Sequence, residues 1–195
     1  MPQGFDTMNL RARGHNDQTG GGLNPDCRRR GVHTGGSART RAGQPGLEVR
    51  RPRCGRLRST LGPSAMTLGG ILKHLALGEE YWFGERFLGR PLGPPWGDVD
   101  WDTAPDWERR TAAEDSPEQL YAIWSDAVQT SRNVVAEALA QGGLDQSAAF
   151  VTSEGESPSL RRLLIDMIAE YARHVGHSDL IRESIDGRAG EDPPD

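Results

Sequence analysis

Six residues toward the C-terminal end, Leu163, Met167, Glu170, His174, His177 and Ile181, follow one another at steps of 4, 3, 4, 3 and 4. That is the repeat of a single buried face on an α-helix. It constrains the fold strongly, because three of the six inward positions are ionisable. At about 100° per residue, Glu170, His174 and His177 fall within roughly 60° of one another. Burying a carboxylate and two imidazoles without partners costs on the order of several kcal/mol each, and a divalent cation is the simplest partner for all three. Glu170 and His174 are i, i+4, and His174 and His177 are i, i+3; both spacings can chelate one ion from a single helix. Without a metal, the same face would be laced by Glu–His hydrogen bonds.

The chain has five histidines: His15, His33, His74, His174 and His177. His74 lies in the apolar stretch Leu68 to Ala76, sharing its face with Ile71, Leu75 and Gly78, so it too is expected to point inward. Alone, such a histidine is more often a hydrogen-bonded core residue than a ligand. Paired with the helix of Glu170 and His174, it becomes a candidate third ligand.

Composition divides the chain. Residues 1–65 contain 12 Arg and no Lys against 4 acids, a net charge of +8, whereas the remainder carries −13. The first part also holds 12 Gly and almost no periodic apolar residues, so residues 1–55 are expected to be a disordered Arg/Gly-rich segment. Residues 56–190 are expected to form the folded helical domain and 191–195 a disordered tail. Phe5 is the only aromatic residue among the arginines, which argues against nucleic-acid binding. No apolar stretch is long enough to span a membrane and no secretory signal is present, so a cytoplasmic location is expected. Cys27 and Cys54 both fall in the basic part, leaving no disulfide framework or thiolate ligation for the fold. Any metal site must use nitrogen and oxygen.

Three helices are expected. The first runs from about Thr67 to Leu88, with Gly69, Gly70 and Gly78 as positions for close packing. The second opens with the capping box Ser116-Pro117-Glu118-Gln119 and ends at Gly142-Gly143. The third starts after Ser157-Pro158-Ser159 and closes at Asp186-Gly187. Between the first two, Pro91 to Trp107 holds Trp96, Trp101 and Trp107 and reads as a loop that covers the domain, with edge packing an equal alternative to substrate binding.

Three segments together, Pro63-Ser-Ala-Met-Thr-Leu-Gly-Gly-Ile-Leu-Lys-His74-Leu-Ala, Trp82-Phe83, and Glu170-Tyr-Ala-Arg-His174-Val-Gly-His177-Ser-Asp179-Leu-Ile-Arg182-Glu183-Ser-Ile-Asp186-Gly187, resemble the DinB-like superfamily, in its branch of uncharacterised and mini-circle-type proteins. The resemblance covers roughly 57–191. It implies an all-α four-helix bundle holding a divalent ion, zinc or nickel, through one ligand on the second bundle helix and others on the last. His74 matches the first ligand, and His174 with Glu170 matches the i, i+4 pair. Better-known members have histidine where this chain has Glu170. His177 is therefore either the missing nitrogen ligand or a supporting or catalytic base.

Characterised relatives include transferases and isomerases that use thiols such as mycothiol or bacillithiol. The resemblance thus implies a metal-dependent thiol transferase with a small-molecule thiol and an electrophile as substrates. The alternative is a non-enzymatic, metal-stabilised bundle acting in stress response or partner binding. An open coordination position would favour catalysis and a closed set of four protein ligands would favour structure. The family's bundle also begins with a helix that residues 1–55 do not supply, the pattern of a shifted reading frame or misplaced start. A bundle without it would expose an apolar groove that a second copy could cover, giving a homodimer.

Overall fold

The computed structural model describes residues 54–188 and 190, so the expectations for 1–53 and 191–195 fall outside the described residues. Within them the chain is all-α. A single turn, α1 (Cys54–Leu57), precedes α2 (Leu68–Glu79), which continues as a π-helical segment over Glu80–Phe87. The short α3 (Trp107–Thr111), then α4 (Pro117–Gln141) and α5 (Leu160–Asp186), complete the order. The only bridge among the described residues is the isolated pairing of Ser147 with Ser159.

Local chemistry accounts for the boundaries. Thr67 caps α2 by accepting from the Gly70 N–H. Ser116 and Gln119 close the capping box that opens α4, with Pro117 at its first turn. Ser159 caps α5, and Gly187, at φ 72°, ends it in the left-handed conformation that glycine adopts most easily.

Three long helices make the bundle, and α2 is its centre. Every residue of α2 except Leu72 is buried, because α4, α5 and α3 each take a side of it. The glycines make this possible. A Cβ at Gly69 would stand 3.1 Å from a Leu120 methyl and from the Leu57 carbonyl, and one at Gly70 would stand 3.5 Å from the Arg109 backbone. A Cβ at Gly69 would thus press on α1 and α4, whereas one at Gly70 would only touch α3.

The apolar core forms three patches along α2. One joins Leu68, Ile71 and Leu75 to Leu120 and Ile181; a second joins Phe83 and Phe87 to Leu160, Leu163 and Met167. The third packs Ala76, Leu77 and Ala127 around Trp96, the largest side chain fully buried. Trp124 and Tyr171 tie the long helices together: the indole N–H donates to the Tyr171 oxygen at 3.0 Å, and that hydroxyl donates to Glu79 Oε1 at 2.7 Å. Burial, then the hydrogen bond to Glu79, pushes the Tyr171 phenol well above its usual range. The outer face of α5 leaves Ile165, Ile168, Val175 and Leu180 exposed. No described helix is long and apolar enough to cross a membrane.

A candidate metal centre between two helices

The helix periods that put His74 on α2 and Glu170 and His174 on α5 bring the three together where these helices meet. His74 and His174 are both buried, and their rings meet edge to face with centroids 4.9 Å apart. Glu170 lies between them. Its Oε1 accepts from His174 Nε2 at 3.0 Å and from His74 Nε2 at 3.3 Å. One nitrogen from each imidazole and one carboxylate oxygen all lie within 4.8 Å of one another. Ligands of one tetrahedral ion with bonds near 2.1 Å stand about 3.4 Å apart, so the group could hold a metal after a small contraction.

The outward atoms of two of these groups are also engaged. Arg173 Nη1 donates to Glu170 Oε2 at 2.6 Å, one turn along α5. His74 Nδ1 donates to Glu108 Oε1 at 3.0 Å. The buried Nδ1 of His174 has no hydrogen-bond partner among the described residues.

Charge follows geometry. Burial weakens the hold of His74 on its proton, but the hydrogen bonds to Glu108 and Glu170 outweigh it, so its pKa lies above 6.5. The hydrogen bonds from His174 and then His74, with the nearby Arg173 guanidinium, hold the Glu170 carboxyl far below the usual carboxylate range. In this state protons occupy the space between three donor atoms that a divalent cation would otherwise fill, and binding would release them.

His177 stands apart from the converging atoms. Its ring lies 5.3 Å from that of His174, and its buried Nδ1 lacks a hydrogen-bond partner among the described residues. The Trp-rich connection packs elsewhere than on the histidines. Trp96, Trp101 and Trp107 meet edge to face over the Ala76–Leu77 patch of α2 and over α4. What this connection brings to the centre is Glu108, a residue the sequence pattern did not single out. No sequence signal pointed to it: the chain's only lysine, Lys73, beside His74 on an apolar face, calls for an acid nearby, but that acid is Asp115.

A family model described as mycothiol-S-transferase matches residues 55–187, more than half of the chain. No curated protein and no solved structure matches it.

Proposed function

The chain belongs to the mycothiol-S-transferase family, within the DinB-like proteins, and on that premise we propose that it is a metal-dependent transferase that joins a low-molecular-weight thiol of the mycothiol type to an electrophile. In this reading His74, Glu170 and His174 hold a divalent ion, zinc or nickel, and His177 is the base. The observation that carries it is the convergence of three donor atoms from two helices, two of them imidazole nitrogens, within 4.8 Å.

A bound divalent ion supplies the means of holding a thiol as its thiolate near neutral pH. The chain's own residues do the rest. A set of three protein donors would leave a coordination position for substrate, as catalytic sites do. Glu170, the partly exposed member of the trio, marks the side from which a substrate enters. Arg173 holds Glu170 Oε2, so that Oε1 stays turned toward the imidazoles. His177, whose Nδ1 has no hydrogen-bond partner among the described residues, takes the thiol proton at that atom. The buried walls of Ile71, Leu75, Met167 and Ile181 keep bulk water from the inner side.

The test is a zinc titration against a competing chelator, followed by assay of thiol consumption with mycothiol and a panel of electrophiles. Stoichiometric binding that is lost in His74→Ala and His174→Ala, with conjugation lost in His177→Ala while zinc is retained, is the expected result. Binding without any conjugation would leave a metal-stabilised bundle, and failure to bind zinc or nickel would overturn the reading. Unchanged affinity in Glu170→Gln would transfer the third ligand role to His177.

A further inference from the structure

We infer that Glu108 is the positioning residue of the centre, a buried carboxylate that fixes which nitrogen of His74 is free to take a cation. The inference rests on the reading of His74 as a ligand and deepens it. Glu108 is 2% exposed, although it lies in a connection between helices. Burying a carboxylate without a strong partner is costly, so its place needs a reason. Its Oε1 accepts from His74 Nδ1 at 3.0 Å and forms an ion pair with the half-exposed Arg109 at 3.3 Å, and its Oε2 has no hydrogen-bond partner among the described residues. An ionised carboxylate only accepts, so Nδ1 must carry a proton. Nε2 donates in the same way to Glu170 Oε1 at 3.3 Å, but it alone faces the site. When a cation displaces one proton of His74, Nε2 is therefore the ring nitrogen that offers the lone pair, while Nδ1 keeps its proton on Glu108.

The surroundings hold Glu108 at that spot. Gly70 and, one turn on, the adjacent Lys73 and His74 all meet α3. Gly70 lies against the backbone of Arg109, where even a Cβ would be in ordinary contact at 3.5 Å from its Cα and carbonyl oxygen. Lys73 Nζ donates to Thr111 Oγ1 at 3.0 Å and to Asp115 Oδ2 at 2.6 Å, and lies 4.7 Å from the centre of the Trp107 ring. The residues on both sides of Glu108 are thereby clipped to α2, and the carboxylate has little freedom to leave Nδ1. Outer carboxylate partners of this kind fix tautomer and ring orientation, and their loss typically costs 10–100-fold in metal affinity.

The experiment compares wild type, Glu108→Gln and Glu108→Leu. It reads the His74 tautomer from ring nitrogen shifts in metal-free protein at mildly alkaline pH, and the zinc affinity by chelator competition. Wild type should show His74 protonated at Nδ1. The Leu variant, which fills the site but accepts nothing, should lose that preference and bind zinc about 10–100-fold more weakly. The Gln variant keeps an accepting oxygen and should recover the tautomer and most of the affinity, which a merely space-filling role would not predict. A neutral His74 with its proton on Nε2 and none on Nδ1 in wild type, or a Leu variant equal to wild type in both readouts, would overturn the inference. Should the Leu variant fail to fold, the wild-type tautomer and the Gln variant decide alone. If wild type bound no zinc, the proposed function would fail, while the tautomer readout would still judge Glu108.

Discussion

Two connections join the long helices, and they are held by different forces. The first, from Leu88 to Ser116, is anchored by side chains: Trp96 is fully buried, Trp101 and Trp107 pack beside it, and Glu108 and Lys73 link it to the heart of α2. The second, from Gly142 to Ser159, is anchored chiefly by its backbone, with the small Ala148 buried and Leu144 packed against the Phe83–Met167 patch. Ala149 and Phe150 N–H groups donate to the Phe87 and Arg86 carbonyls at 2.9 and 3.0 Å, and Ala148 N–H to Pro158 O at 2.8 Å. Its Val151 side chain stands in solvent, and none of its residues joins the His–Glu group. Both are ordered segments without long helices, yet only the side-chain-anchored one can pass a disturbance to the site. A connection that delivers a functional group must be fixed by the side chains around that group, whereas one that merely closes the chain is held chiefly by satisfying its hydrogen bonds.

The largest test of this contrast is Trp96→Ala, which should cost about 3–5 kcal/mol in denaturant unfolding and weaken zinc binding as α3 loosens. Loss of stability with unchanged zinc affinity would separate the connection from the site. Next in size is Lys73→Met. It removes a buried cation but leaves a partly exposed Asp115 that can turn to water, so about 1–3 kcal/mol is expected, with zinc affinity reduced several-fold.

A pH series sharpens the comparison further. His74 has a raised pKa in the folded protein, so its contribution is complete below about pH 6.5 and is lost as pH rises through the folded value. Glu170 has a depressed pKa, so its contribution is present above about pH 4.5 and is lost as pH falls through its folded value. The metal-free melting temperature should therefore be highest between those limits and fall above them, and saturating zinc should remove the alkaline decline. Glu108→Gln should reduce that decline. The smallest effect belongs to the second connection: Val151→Ser should change stability by less than about 0.5 kcal/mol and leave zinc binding alone. A measurable loss of affinity there would erase the distinction.

Much of this was legible beforehand because helices announce themselves by period and cap. Ser116 with Gln119, Ser159, and Gly187 mark ends that the structure places where they were expected. The inward turn of His74, Glu170 and His174 followed from their neighbours at three and four residues. Glu108 was not legible, for a physical reason: α3 is one turn long, too short to show a period, and Trp107-Glu108-Arg109-Arg110 reads like a solvated surface. Its place depends on contacts far apart in sequence, such as that of Lys73 with Thr111, 38 residues on, which only the tertiary fold brings into register. The π-helical extension of α2 was hidden similarly, since Trp82, Phe83 and Phe87 suit either winding.

Lys73 carries the only ε-amine in 195 residues, and the fold buries it under Trp107 against Asp115. An acylating reagent can therefore modify this protein at one lysine, and only when the clip between α2 and α3 opens. The rate of that single acylation, separated by mass from reaction at the α-amine, is an intrinsic clock for the clip's opening, set by the local equilibrium rather than by global unfolding when opening is local. Tryptic cleavage after Lys73 obeys the same gate, so the abundant arginines report the surface while this one lysine reports the interior.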